Sequence, residues 1–171
     1  MDRPPLCAVA FRAKEKRTSP PRARRRYWCR MSLENVEILR RVIDAYNARD
    51  VGAFIAYCHP EIEIHSAFAA VGGAVYHGHD GIREFFRDFD EVWGDQVHVE
   101  PEVYFDLGES TLFFYVLHGR GRGSGAEVAM PSALVARYRA DLLVYVRAYP
   151  YREDALGELG VSVEALERIE P

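Results

Sequence analysis

Six histidines are the side chains of this 171-residue chain whose unperturbed charge changes near neutral pH, so they come first as general acids or bases. His118 alternates in register with Leu112, Phe114 and Val116 and ends close to a turn. It is a candidate general base at the rim of an internal face. His65 closes the stretch "EIEIHS" on the side opposite Ser66 and points either outward or into a subunit contact. "HGHD" (His77–Asp80) has the H-x-H spacing of two metal ligands. No third ligand accompanies it and Asp80 reads as a helix cap, so no metal is expected. In "RDFDE", Asp90 stands three residues before Trp93 and shares its helix face, which makes it the candidate catalytic carboxylate. Arg147 is in line with Leu143, Tyr145 and Tyr149. It either pairs with an acid on the outer sheet face or anchors an anionic ligand. Cys58 ends an apolar helical pattern and reads as a small core residue rather than a nucleophile.

The stretch "VLHGRGRGSGAEV" (Val116–Val128) contains G-x-G-x-x-A, the pattern of a dinucleotide-binding turn. Such a turn works because a strand feeds a helix whose N-terminus faces the pyrophosphate. Here the following "AEVAMPSALVARY" alternates like a strand, and no lysine is present to complete a P-loop. The stretch therefore reads as a hairpin turn whose glycines supply positive φ.

The elements that must position these residues follow from periodicity. Ser32 can cap a helix with Val36, Leu39, Val42, Ile43 and Tyr46 on one apolar face. Asp50 can cap a short second helix through Phe54 and Tyr57, ended by Pro60. Glu61–Ser66 alternates as a strand, with Ile62, Ile64 and Ser66 on one face, and "AFAAVGGAVYHG" reads as a loop. A third helix starts at Asp80, buries Ile82, Phe85, Phe86, Phe89 and Trp93, and stops at Gly94. Four strands follow, with Pro101 tolerated at an edge or bulge and a turn at Ala140–Asp141. Helices followed by a run of sequential strands predict an α+β fold with a mostly antiparallel sheet.

Charge is unevenly spread. Residues 1–30 hold ten Lys+Arg against two acids, a net of +8, so residues 31–171 carry −12 of the total −4. An acidic domain repels phosphate backbones, so no nucleic acid is expected as a partner. No apolar run approaches the ~18 residues of a membrane span. Residues 1–30 are rich in Pro and Arg and lack a period, and "MSLENVEILRR" resembles a fresh start at Met31. The segment is expected to be a disordered basic extension or an over-extended start. Outside it Cys58 is the single cysteine, which fits a reducing cytoplasm.

Taken in order, "VEILRRVIDAYNARDVGAFIAYCHPEIEIHS", "YHGHDGIREFFRDF", "GRGRGSGAEV" and "YREDALGELGV" resemble the nuclear transport factor 2-like superfamily, and within it the small SnoaL-like proteins. The resemblance covers Ser32 to Val161. It implies a cone in which a curved antiparallel sheet wraps three N-terminal helices around a pocket, with residues 31–161 as the domain and 162–171 as a tail. The superfamily includes ketosteroid isomerases, polyketide cyclases, epoxide hydrolases and dehydratases, so fold alone gives no function. The isomerase base position falls on Ser66, its tyrosine position on Val42 and its acid position near Pro131, and none of the three is kept. The epoxide hydrolase's Asp-Arg-Asp site has no clear match.

The expected pocket draws on Tyr46, Ser66, Phe68, Phe86, Trp93 and Arg147, with Asp90 and His118 as catalytic candidates. The function it implies is cofactor-free acid/base chemistry on a small apolar molecule: cyclisation, isomerisation, dehydration or hydration. The alternative is a non-catalytic ligand-binding or dimerisation module. The run "LFFYVL" puts Leu112, Phe114 and Val116 on one face and Phe113, Tyr115 and Leu117 on the other. With the first face on the helices, the second must be covered, which predicts a homodimer through the convex sheet face.

Overall fold

The computed structural model describes residues 22–68, 73–94, 97–120 and 125–171, with side chains from residue 34 onward. The proposed extension at residues 1–21 and the glycines at 121 and 123 lie outside the described residues. Helix α1 (Arg22–Asn47) starts upstream of Ser32, so Ser32 sits within the helix rather than capping it. Its apolar face is the expected one: Val36, Leu39, Val42, Ile43 and Tyr46 are all buried. The chain then reverses through Arg49, a non-glycine residue at φ 58°. Asp50 caps α2 (Val51–Ala56) by accepting a hydrogen bond from the Ala53 N–H at 2.9 Å.

Strand β1 (Cys58–Ser66) begins before Pro60. Proline does not end the helix here but rides inside the strand, because pairing is interrupted between Cys58 and Glu63 and no ladder bond is forfeited. β2 (Ala74–His77), in a stretch expected to be loop, pairs antiparallel with β1. α3 (Gly78–Trp93) follows directly, earlier than the cap expected at Asp80. Asp80 instead sits exposed in the first turn, 2.8 Å from Arg83. Gly94, at φ 70°, ends the helix as expected.

Strands β3 (His98–Asp106), β4 (Ser110–Arg120), β5 (Glu127–Arg139) and β6 (Leu142–Tyr149) form successive antiparallel pairs, with a bulge at Pro101–Val103. The last helix, α4 (Arg152–Leu159), and a two-residue strand, β7 (Arg168–Ile169), complete the described chain. Sheet order is β2-β1-β6-β5-β4-β3-β7; the β1–β6 contact is parallel and the curved sheet does not close. The fold is α+β, as expected. Arg120 pairs with Glu127 across the glycine stretch, so it joins two antiparallel strands and no helix follows it. No helix among the described residues is long and apolar enough to cross a membrane.

The sheet's faces are the reverse of those expected for β4. Phe113, Tyr115 and Leu117 pack with Leu39, Ile43 and Phe89 on the helix side. Leu112 and Phe114 lie on the other face with Phe105, Val135 and Ala155. A strand apolar at every position carries no signal of which parity turns inward; here the flanking strands decide, through Tyr104 and Leu134 beside Phe113.

The convex strip is covered by the chain's own C-terminal segment, with Leu156, Leu159, Val163 and Leu166 packed on it. Arg152 fastens that segment. It donates to the Tyr115 and Ser132 carbonyls at 3.3 and 3.4 Å, pairs with Glu102 and lies 4.9 Å from the Phe114 ring centroid. The strip expected to bind a second copy is therefore turned to the interior, and the outward one already has a cover.

Candidate functional site

Between the concave sheet face and the helices lies a partly enclosed cavity of about 70 Å³. α1 contributes Leu39, Val42, Ile43 and Tyr46, and α3 contributes Phe85 and Phe89. The sheet supplies Ile64, Ser66, Phe113, Tyr115, Leu117, Leu134 and Val146, and Phe68 follows β1. The side chains are apolar except for three hydroxyls, those of Tyr46, Ser66 and Tyr115. His65 borders the space, but its ring turns to the opposite face, bonded to Glu63 and 5.2 Å from the Tyr145 ring centroid.

Tyr46 is 5% exposed, and its hydroxyl makes no hydrogen bond of normal geometry among the described residues. Its ring meets Phe85, Phe86 and Phe89 at centroid distances of 6.1, 5.7 and 5.8 Å. Burial raises its pKa above the ordinary tyrosine range, opposed by the Arg49 guanidinium, whose carbon lies 5.5 Å from the ring centroid. Burial likewise raises the Tyr115 hydroxyl, against a hydrogen bond with Ser132. At neutral pH both are neutral phenols. They can donate a hydrogen bond or a proton but cannot act as bases.

Of the expected pocket residues, the fold brings Tyr46, Ser66 and Phe68 together on this cavity. Phe68 is pinned by its main chain: its N–H donates to Ser66 Oγ at 3.2 Å, and its carbonyl accepts from Trp93 Nε1 at 3.1 Å. Trp93 thus acts from behind, packed so closely on Gly119 that a Cβ there would come within 2.7 Å of Trp93 Cε3. Phe86 belongs to the core, edge-on to Phe54 at 5.3 Å. Arg147 lies on the convex side, 2.9 Å from Glu158 and 5.0 Å from the Tyr149 ring centroid, in an outer cleft. The outer-face ion pair is the alternative realised there.

His118 shares the convex parity of β4. It lies exposed, 2.7 Å from Glu100, and does not rim the cavity. Asp90 reaches Arg49 at 3.2 Å instead of the cavity. His77 stands 3.7 Å from Glu63, while His79 bonds the Cys58 carbonyl at 3.1 Å, so the two histidines of "HGHD" engage different partners. Among the described residues no three metal-ligating side chains converge. The buried Cys58 thiol is pushed up to about 12 by burial.

Sequence reasoning missed Tyr115, placed on the outer face by the parity error, and Arg49. The one signal for Arg49 was its place between a helix end and the Asp50 cap.

A profile of the SnoaL-like domain family matches residues 39–146, most of the described fold and nearly all of the cavity lining. The chain belongs to the SnoaL-like family. No curated protein matches this SnoaL-like chain significantly in sequence. Among solved structures it is similar to a nuclear transport factor 2-like protein of unknown function from Burkholderia pseudomallei, with TM-score 0.63 at 16% identity over 72% of this chain and 95% of that one. It is similar to TerC co-crystallised with polyporic acid, with TM-score 0.62 at 19% identity over 74% and 97%. A ketosteroid isomerase-like protein from Catenulispora acidiphila in complex with trimethylamine gives TM-score 0.60 at 19% identity over 75% and 95%. At these identities the likeness is one of fold.

Proposed function

We propose that this SnoaL-like cone binds a small, apolar, single-ring molecule between its helices and sheet. The observation that carries the reading is the lining: apolar side chains and aromatic rings with three neutral hydroxyls and no carboxylate or imidazole side chain among the described residues. Without a base at the cavity, ligand binding is favoured over acid/base catalysis. Catalysis is a second reading with one specific support, the buried Tyr46 hydroxyl, which would act as the acid while substrate or water supplied the base. Neither reading calls for a cofactor.

Size limits the ligand. A cavity of ~150 Å³ accepts benzene, so 70 Å³ must widen for even one ring. Phe68 is the half-buried lining residue placed to move. The structural relatives do not choose the ligand's charge, since polyporic acid is acidic and trimethylamine basic.

Thermal-shift measurements with benzene, toluene and indole test the reading. Saturating ligand at 100 times Kd adds about 2.7 kcal/mol of stability, several degrees in Tm. Val146→Phe, which fills the cavity from the sheet side, should abolish the shift while leaving a cooperative transition. The reading fails if no ring compound shifts the wild type, or if the shift survives in Val146→Phe.

A further inference from the structure

Beside the cavity two buried donors stand together without partners of normal geometry. One is the Tyr46 hydroxyl and the other is Arg49 Nη1. The guanidinium is fixed on its other side, where Nη2 donates to the Gly94 carbonyl at 3.0 Å. Its counter-ion, Asp90, is 3.2 Å away but 54% exposed, so water screens the carboxylate more than it screens the buried nitrogen. The titratable groups facing Tyr46 are Arg49 from the turn after α1, Asp90 from α3 and Tyr115 from β4. Of these, Arg49 is the cation nearest the phenol.

Geometry limits what can accept from this pair. With Nη2 committed to Gly94, the two-pronged fork that recognises a carboxylate is half used. One guanidinium nitrogen and one phenol remain, which suits a single oxygen. The apolar lining suits a ring attached to that oxygen. An ammonium group is disfavoured by Arg49.

We propose that Tyr46 Oη and Arg49 Nη1 jointly hold one negatively charged oxygen of the ligand, so that the occupant is a small planar phenol or enol bound as its anion. The proposal rests on the cavity-binding reading above and adds the ligand's chemical class. Asp90 is a positioning residue, holding the guanidinium over Tyr46. Binding draws the oxygen inward from the Arg49 side, with the ring packed among Phe89, Phe113 and Leu117.

The test uses 4-nitrophenol, whose anion absorbs in the visible, beside nitrobenzene, a neutral molecule of similar shape. Bound to the wild type, 4-nitrophenol should titrate about one unit below its free value, a tenfold preference for the anion. In Arg49→Met the bound probe should titrate above its free value, because an apolar cavity favours the neutral form. Tyr46→Phe should fall between the two, and Arg49→Lys should restore part of the shift. Nitrobenzene should bind wild type and Arg49→Met within about twofold, which separates charge recognition from cavity shape. Should Arg49→Met not fold, Tyr46→Phe decides, since it removes only the hydroxyl. If nitrobenzene binds and the bound nitrophenol is not shifted downward, the cavity reading stands and the oxygen site is wrong. A downward shift unchanged in Arg49→Met or Tyr46→Phe also overturns it. If neither probe binds, both readings fall.

Discussion

Burial raises the hydroxyl pKa of Tyr46, Tyr115 and Tyr138 because a phenolate taken from water loses its solvation. The sign of the stability effect follows. The unfolded chain ionises these groups near pH 10 and the folded chain higher, so they contribute full stability below pH 10 and lose it as pH rises further. Tm should hold level between about pH 7 and 9 and fall steeply above about 10, and Tyr46→Phe should soften that fall. Phenolate absorbance should develop in two stages, exposed tyrosines first and buried ones only with unfolding. A single stage near the ordinary tyrosine pKa, with Tm unchanged, would contradict the burial of these rings. The same scale explains why the charged candidates left the site. His118, Asp90 and Arg147 each found an opposite charge within hydrogen-bonding range outside the cavity, and keeping an ion near water costs less than drying it.

At the scale of elements, the turn between α1 and α2 carries the most unusual backbone. Arg49 adopts φ 58°, where a Cβ costs roughly 1–2 kcal/mol. Glycine would fit there without strain, yet glycine has no side chain to reach Gly94, Asp90 and Tyr46. Strain retained where a smaller residue would relieve it points to a use for the side chain. Arg49→Ala and Arg49→Gly both delete the guanidinium, but only the second relaxes the turn. Chemical denaturation should find the glycine variant more stable than the alanine variant by about 1 kcal/mol. Equal stabilities would mean that the turn is not strained. The β5–β6 hairpin repeats the pattern, with Ala140 and Asp141 at φ 52° and 60°, both central positions of a tight turn that favours Asn-Gly.

Across the whole molecule, the C-terminal segment substitutes for a second copy of the chain. Phe105 and Leu112 are fully buried and Phe114 nearly so, under α4 and the stretch that follows it. Removing residues 152–171 would bare this strip and free the Tyr115 and Ser132 carbonyls from Arg152. The truncated chain should melt several degrees lower, bind a hydrophobic dye and self-associate, because a contiguous exposed apolar patch seeks a partner. Light scattering and dye fluorescence measure this. A truncated chain that stays monodisperse with unchanged Tm would show that the segment covers nothing of consequence. Arg152→Ala should move the same readouts in the same direction by less.

The sequence by itself determined the element types and their order. Helical spacing from Val36 to Tyr46 and from Ile82 to Phe89, alternation in the later strands, the Asp50 cap, the Gly94 stop and the tolerated Pro101 are local features, and local sterics and hydrogen bonding act alike in a peptide and in a fold. Tyr46, Ser66 and Phe68 were legible as lining for the same reason: each belongs to an apolar face with a clear period. Tertiary structure decided the rest. In β4 both faces are apolar, so only pairing with β3 and β5 and packing under α4 fixed which parity turned inward, and with it the places of Tyr115 and His118. Asp90 and Arg147 were settled by partners far along the chain or across a helix end, which no spacing announces. The unsatisfied pair of Tyr46 and Arg49 exists only because a left-handed turn carries a cation back over a buried ring. A buried donor becomes visible when every neighbour has been placed and none has answered it.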